Sequence, residues 1–148
     1  MKIVCDGDPV LRKKARDVSK VTKETTKLLD QMLETMRVAQ GVGLAAPQVG
    51  IDRRIIIVDI GEGVFEFINP HVLASGGSLV DVEGCLSVPG INGEVERKAW
   101  VELEALNRFS QKISLKADGL FARVIQHEID HLEGILFIDR ARNIEYND

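Results

Sequence analysis

The spacing of apolar residues along the chain predicts two main helices. Between Thr22 and Gly41 apolar residues recur at intervals of three and four, the period of one helix face, and Thr22 can cap the start. A second segment with the same period begins near Asp118 and stops at Gly134. Its apolar positions are Leu120, Phe121, Val124, Ile125, Ile129 and Leu132.

Alternation of apolar and polar residues predicts strands between these helices. Residues 54–60 and 64–69 form two predicted strands, and Pro70 is expected to end the second because proline cannot donate to a strand ladder. Residues 94–106 alternate over a length that predicts one long strand, with 113–116 as a shorter partner.

Together these elements predict one α+β domain. Helices, then strands, then a helix is the order of an α+β fold, whereas a wound parallel sheet alternates strand and helix. The chain has 148 residues, of which 45% are hydrophobic and 28% charged, and this suits one domain with its own core. We therefore predict a single domain over residues 1–148, with the polar segment 141–148 frayed.

Charge and cysteine content limit the functional classes. The net charge of −4, with acids and bases well mixed, argues against a general nucleic-acid or membrane surface. No apolar run approaches the roughly 18 residues of a membrane span, and the N-terminus becomes polar by Asp6 before a signal-peptide core could form. Cys5 and Cys85 lie far apart and do not form a disulfide pattern. We therefore expect a cytoplasmic protein.

The second helix carries a candidate metal site. His127 and His131 stand four residues apart, about 40° of rotation and about 6 Å of rise on a helix, so both imidazoles point the same way. Glu128 follows the first histidine and would lie beside the metal, where a general base is needed. The apolar flanks favour this interpretation over a chance motif on a solvated helix. Two imidazoles still require a third ligand.

Either cysteine could supply that ligand. Cys85 lies between Gly84 and Leu86 in a segment that suits a fixed loop or strand, whereas Cys5 has no such setting. A thiolate with two imidazoles leaves a fourth position for water, as catalytic sites do. Residue type alone favours a buried structural cysteine, and spacing does not decide between the two.

The glycine-rich segment 41–50 has two interpretations. It lacks the Gly-Lys-Ser/Thr ending of a phosphate loop and leads to a strand, so phosphate binding is excluded. Its small residues either let a ligand approach the backbone, with Gln48 offering an amide donor, or form a tight packing turn. His71, after Asn69-Pro70, is assigned no role.

Three motifs in this order make the chain resemble the peptide deformylases. They are Gly41-Val42-Gly43-Leu44-Ala45-Ala46-Pro47-Gln48, Glu83-Gly84-Cys85-Leu86-Ser87 and His127-Glu128-Ile129-Asp130-His131. The likeness extends over nearly the whole chain. It implies the deformylase α+β fold, with antiparallel β-sheets around a central metal-binding helix.

The resemblance implies a metal-dependent hydrolase of protein biosynthesis. It would remove the N-formyl group from the N-terminal formylmethionine of new polypeptides, releasing formate. Hydroxide from metal-bound water would attack the formyl carbon, with Glu128 as general acid/base. The implied metal is Fe(2+), which Zn, Ni or Co could replace, although ligand chemistry alone favours zinc.

The resemblance also implies roles for single residues. The side-chain amide of Gln48 and the backbone N–H of Leu86 would hold the oxygen of the intermediate. The implied metal ligands are Cys85, His127 and His131. The implied substrate contacts are Val42, Gly43 and Arg97. Asp130 would either orient the histidines or form an ordinary ion pair.

Other functions are possible from the sequence. A metallopeptidase with the same helix motif would take its third ligand downstream, where Glu133 is too close and only Asp139 and Glu145 remain. A non-catalytic metal-binding protein would lack the base or add a fourth protein ligand, and neither is seen. The expected partners are formylmethionyl nascent peptides and, transiently, the ribosome. Because the chain ends soon after Ile138, the C-terminal helix of many relatives is expected to be short or missing.

Overall fold

A computed structural model describes residues 1–147, and Asp148, the last residue of the predicted domain and tail, lies outside them. The described chain contains helices α1 (Lys23–Val38) and α2 (Gly119–Leu132) and three short 3₁₀ helices (Pro9–Arg12, Ala46–Val49 and Phe137–Asp139). Its strands are β1 (Gly43–Ala45), β2 (Ile55–Val58), β3 (Phe65–Gly76), β4 (Leu79–Cys85), β5 (Val88–Arg97), β6 (Trp100–Leu106), β7 (Lys112–Asp118) and β8 (Arg142–Tyr146). Within residues 1–147, no helix has the length and apolar character needed to span a bilayer.

The strands form two antiparallel sheets, which confirms the α+β prediction. One sheet has the order β1-β2-β3-β6-β7, and the other has the order β4-β5-β8. The β4–β5 hairpin turns at Leu86 and Ser87, because Cys85 is paired with Val88. Strands β1 and β4 are therefore each at the edge of their sheet.

Helix α2 lies between the two sheets. One face packs its apolar side chains into the core of the larger sheet, where Val124 and Ile125 are buried with Phe67 and Leu103. From the other face Arg123 donates to the backbone oxygens of Leu79 at 2.8 Å and Val95 at 3.0 Å, on the smaller sheet. The predicted central helix is thus confirmed.

Both predicted helices form, but one side chain of the predicted apolar face of α2 is exposed. Helix α1 buries Leu29, Met32 and Met36 as its apolar spacing predicts. Helix α2 follows Asp118 and ends just before Gly134, whose φ of +76° matches the predicted stop. Leu120 was predicted to join the apolar face of α2, but it is 58% exposed. It lies on the first turn of the helix, at the wall of a cavity.

Two strand predictions were wrong. Strand β3 continues through Pro70, because Asn69 adopts a φ of +51° and the register shifts between Ile68 and His71. This irregularity accommodates the missing proline N–H. His71 therefore lies on the strand, exposed, opposite Glu104.

The predicted long strand 94–106 is two strands in different sheets. The break falls at Lys98, whose N–H donates to the side chain of Gln126, and at Ala99, whose N–H donates to Gly76. Period-two alternation continues across this break, so the pattern cannot report a change of sheet.

Two further segments are more regular than predicted. The loop 41–50 contains β1 and the 3₁₀ helix Ala46–Val49. The tail predicted to fray instead forms β8 against β5, and the N–H of Asn147 donates to the oxygen of Gly90 at 2.7 Å. Pairing with a strand edge orders this exposed, polar segment without burying its side chains.

Candidate metal centre and its cavity

Three candidate ligands meet where α2 faces the end of β4. Helix α2 presents His127 and His131, and β4 presents Cys85, so that the three ligand atoms lie within 4.8 Å of one another. The Sγ of Cys85 is 3.4 Å from the Nε2 of His131. Cys5 is exposed and is not a member of this cluster.

The donor set fits a transition-metal ion. Bonds of about 2.0–2.3 Å from a tetrahedral centre separate the ligands by about 3.5 Å, so only a small contraction of the cluster is needed. One thiolate and two imidazoles suit zinc or iron. Three protein ligands also leave one position open, as in catalytic sites.

Glu83 orients the first histidine. Its Oε1 lies 2.8 Å from the Nδ1 of His127, so the Nε2 on the opposite side of the ring is free to face the cluster. The sequence motifs predict no role for Glu83. A signal was available, because residues two apart on a strand share a face and Glu83 stands two before Cys85.

Charges around the cluster separate the protonation states of its members. Burial is the largest of the causes that lower the pKa of His131 to about 3, and the positive charges of His127 and Arg97 act in the same direction, so this imidazole is neutral. Burial also disfavours a charge on His127, but hydrogen bonds to Cys85 and Glu83 outweigh it and raise its pKa to about 10. Burial alone would raise the pKa of Glu83, but hydrogen bonds from His127 and Arg97 lower it to about 2.

Glu128 is a buried carboxyl group beside the cluster. It is 4% exposed, and within residues 1–147 its Oε1 has no hydrogen-bond partner. Its pKa is raised to about 7, mainly by burial; the charge of His127 opposes the rise, that of Glu83 adds to it, and that of Arg97 opposes it. A carboxyl group with such a pKa can accept and return a proton near neutral pH.

A glycine makes room for this carboxyl group. A Cβ on Gly43 would lie 2.6 Å from the Oε2 of Glu128 and 2.7 Å from the Cγ1 of Val124. Strand β1 can therefore approach α2 closely only because residue 43 has no side chain.

The amide of Gln48 is held in one orientation. The backbone N–H of Ala45 donates to its Oε1 at 2.9 Å, so the Nε2 must point the other way. There it lies 3.1 Å from the Oγ of Ser87 and 3.6 Å from the Sγ of Cys85. Ser87 is therefore a further residue of the site, for which the sequence motifs predict no role.

A cavity of about 420 Å³ opens onto this cluster. It lies between the edge strands β1 and β4, with α2 as its third wall. Val42 and Gly43 line one side of the cavity and Leu86 lines the other. The remaining lining residues are Gln40, Gly41, Gln48, Val82, Glu83, Gly84, Cys85, Leu120, Arg123, Val124, His127 and Glu128.

Arg97 does not lie at this cavity, and the expectation of a substrate contact disagrees with its position. It is 5% exposed, and its guanidinium is bonded to Glu83 at 2.9 and 3.0 Å and to Asp130 at 2.6 Å. Asp130 in turn accepts from Arg140, so it forms ion pairs and does not touch the histidines directly. These long-range partners are not visible in sequence spacing.

A cysteine at the end of a strand and two histidines with a buried glutamate on a helix between antiparallel sheets are the arrangement of a small metal-dependent hydrolase. The family model for polypeptide deformylase matches residues 1–147. The chain belongs to the polypeptide deformylase family, whose enzymes remove the N-formyl group from new polypeptides.

Individual relatives agree with this assignment. The chain is 52% identical over 143 residues to a peptide deformylase of Pelotomaculum thermopropionicum, covering 97% of this chain and 92% of the relative. It is 54% identical over 140 residues to a peptide deformylase of Desulfitobacterium hafniense, covering 95% and 93%.

Solved structures agree as well. A peptide deformylase from Synechococcus elongatus, in complex with actinonin, matches with a TM-score of 0.94 and 44% identity, over 97% of this chain and 79% of that one. The peptide deformylase of Thermotoga maritima matches with a TM-score of 0.93 and 44% identity, over 95% and 97%.

Proposed function

We propose that this enzyme removes the formyl group from N-formylmethionyl nascent peptides with Cys85, His127 and His131 as metal ligands and Glu128 as general acid/base. The observation that carries the proposal is the carboxyl group of Glu128, buried near the three ligand atoms at a cavity open to substrate, with an Oε1 that has no hydrogen-bond partner within residues 1–147. An unpaired buried carboxyl group costs stability and is retained where it has chemistry to perform.

The three ligands would hold a divalent ion. The chemistry that such an ion would supply when bound is Lewis acidity, which would lower the pKa of water from about 16 towards 7 and so favour its attack on the formyl carbon. We propose Fe(2+) as the metal of this enzyme, with Zn, Ni or Co able to occupy the same ligands. The thiolate and the two imidazoles are compatible with each of them.

Glu128 moves the proton. Its carboxylate would accept a proton from the attacking water and deliver it to the amine that leaves. A pKa of about 7 at this position suits both steps, because the group neither holds the proton too tightly nor releases it too early. The positive charge of a bound ion would favour the ionised form, which begins the reaction.

Gln48 and Leu86 stabilise the oxygen of the tetrahedral intermediate. The Gln48 amide is oriented before substrate arrives, because its oxygen is already held by the N–H of Ala45. The backbone N–H of Leu86 would be the second donor, from the turn next to Cys85. Removing one donor of this kind typically costs about 3–4 kcal/mol of transition-state stabilisation.

The peptide itself would bind in an extended conformation between the edges of β1 and β4. Each edge offers backbone groups along a strand that lines the cavity. With the formyl group at Cys85, the peptide would run antiparallel to β4 and pass Val42 and Gly43 on its other side. Val82, Leu120 and Val124 give the cavity apolar walls that suit a methionine side chain.

Formate release from formyl-Met-Ala-Ser tests this function. Protein reconstituted anaerobically with Fe(2+) should release formate, and Glu128→Gln should retain the metal but lose about 10²–10⁴-fold in kcat. Cys85→Ala should lose the metal, whereas the matched Cys5→Ala should keep both metal and activity. Inactivity of the native chain with iron, zinc, nickel and cobalt would refute the function, and metal binding by Cys85→Ala would refute the ligand set.

A further inference from the structure

A buried chain of ion pairs runs from the metal cluster to the surface. Its inner end is the contact of 2.8 Å between His127 and Glu83. Arg97 then bridges Glu83 and Asp130, and Asp130 reaches Arg140, which is 46% exposed at the outer end. We propose that Asp130 and Arg97 are positioning residues that act on the metal ligand His127 through Glu83. This inference rests on the proposed role of His127 as a ligand.

All three guanidinium nitrogens of Arg97 are engaged within this chain of ion pairs. Its Nε and one terminal nitrogen hold both oxygens of Glu83, a two-pronged contact that fixes the plane of the carboxylate. The remaining terminal nitrogen is used by Asp130 at 2.6 Å. Because Glu83 contacts His127 through one of those two oxygens, turning the carboxylate would turn the imidazole.

The charges explain why Asp130 is required. Glu83 faces two guanidinium groups, since Arg123 also donates to its Oε2 at 2.6 Å. Without Asp130, one buried carboxylate would balance two buried arginines, leaving an excess positive charge beside the site of a metal cation. Arg140, the other partner of Asp130, is 46% exposed, so solvent screens its charge. Asp130 balances Arg97, so that Glu83 remains available to the imidazole.

Asp130 lies on α2, on the helix face that leads from His127 to the smaller sheet. Its side chain is 13% exposed, and the side chains of Glu83 and Arg97 are 6% and 4% exposed. Solvent therefore screens these contacts weakly, and the loss of one charge is felt at the next. A purely structural pair would stabilise the helix without affecting the metal.

Cobalt(II) binding tests the proposal, because the absorption bands of cobalt bound to thiolate and imidazole report ligand geometry. Asp130→Asn should weaken cobalt affinity about tenfold or more, measured by competition with a chelator, and should shift the bands. Asp130→Glu should recover most of the affinity. Asp139→Asn is the matched control, since it replaces with a neutral amide a carboxylate that pairs with Arg12. It should leave the cobalt affinity and the absorption bands unchanged.

A second variant protects the test against misfolding. Arg97→Lys keeps the charge but not the two-pronged contact, so it should also weaken cobalt binding. In a Glu83→Gln background, Asp130→Asn should have no further effect on affinity, because the route to His127 is already broken.

The proposal is overturned if folded Asp130→Asn and Arg97→Lys proteins bind cobalt within twofold of the native chain with unchanged bands. An undiminished effect of Asp130→Asn in the Glu83→Gln background would also overturn it. These outcomes are independent of formate release, so inactivity of the native enzyme would refute the proposed function without deciding this test.

Discussion

At the scale of single residues, the site depends on an absent side chain as much as on those present. The carboxyl group of Glu128 occupies the space that a Cβ on residue 43 would need. Because residue 43 has no side chain, the backbone of β1 lies directly against the carboxyl group of Glu128.

We predict that Gly43→Ala keeps its metal but loses about 10²-fold in kcat/KM, because its methyl group displaces the carboxyl group of Glu128. Metal content and formate release, measured on the same sample, check this. If the loss acts through Glu128, Gly43→Ala should add little to Glu128→Gln. Native activity in Gly43→Ala would contradict the close contact.

The two histidines can be paired from residue spacing because helical spacing is local, whereas their partners cannot be found from spacing. Residues four apart on a helix must share a face, and this rule alone brings His127 and His131 together. The choice of Cys85 over Cys5, and the bond from Glu83 to His127, depend on the packing of a hairpin against a helix. No spacing rule links positions so distant in the chain.

At the scale of elements, the end of α2 is set by a glycine that packs against the N-terminal segment. The N–H groups of Gly134 and Ile135 donate back to His131 and Asp130, which is the Schellman arrangement. A Cβ on Gly134 would lie 2.7 Å from the backbone oxygen of Arg12.

We predict that Gly134→Ala destabilises the protein by about 3 kcal/mol, because left-handed strain adds to a clash with rigid backbone. Gly50→Ala is the matched control. Its φ of +80° is nearly the same as the +76° of Gly134, but a Cβ there meets nothing within 4 Å. It should therefore lose only about 1 kcal/mol. Urea unfolding of both variants measures the difference, and equal losses would show that the clash is relieved.

Helices were easier to predict than strands. The helical period marked α1 and α2 because each keeps one buried face throughout most of its length. Alternation survives a bulge at Pro70 and a change of sheet at Lys98, so strand ends were misjudged at both places. The polar sequence of β8 does not predict a strand, because backbone pairing at a sheet edge requires no apolar residues.

At the scale of the whole molecule, the first and last short helices are joined by an ion pair. Arg12 donates to the Oδ2 of Asp139 at 2.5 Å, and the N–H of Leu136 donates to the same oxygen at 2.9 Å. Partial burial would raise the pKa of Asp139. The hydrogen bonds from Arg12 and Leu136, with the charges of Arg12 and Arg140, outweigh burial and lower it below its usual value of 3.8.

We predict that the stability contributed by Asp139 is present above about pH 4 and is lost as the pH falls below it, because a carboxyl group with a lowered folded pKa must be protonated there. The effect should stay below about 1 kcal/mol, since both side chains are partly exposed. Urea unfolding of metal-free native protein and Asp139→Asn should differ at pH 7, and the difference should shrink as the pH falls below about 4. A difference that does not shrink in acid would contradict it.

The two sheet edges at the cavity have a consequence for timing during translation. A peptide that binds between β1 and β4 must present free backbone N–H and C=O groups over its first residues. In a new chain whose N-terminal segment has already formed a helix, those backbone groups are hydrogen-bonded within the helix and cannot pair with β1 or β4. The enzyme can therefore act only until the N-terminal segment of the new protein folds. Proteins whose N-terminal segments fold slowly remain substrates for the longest time.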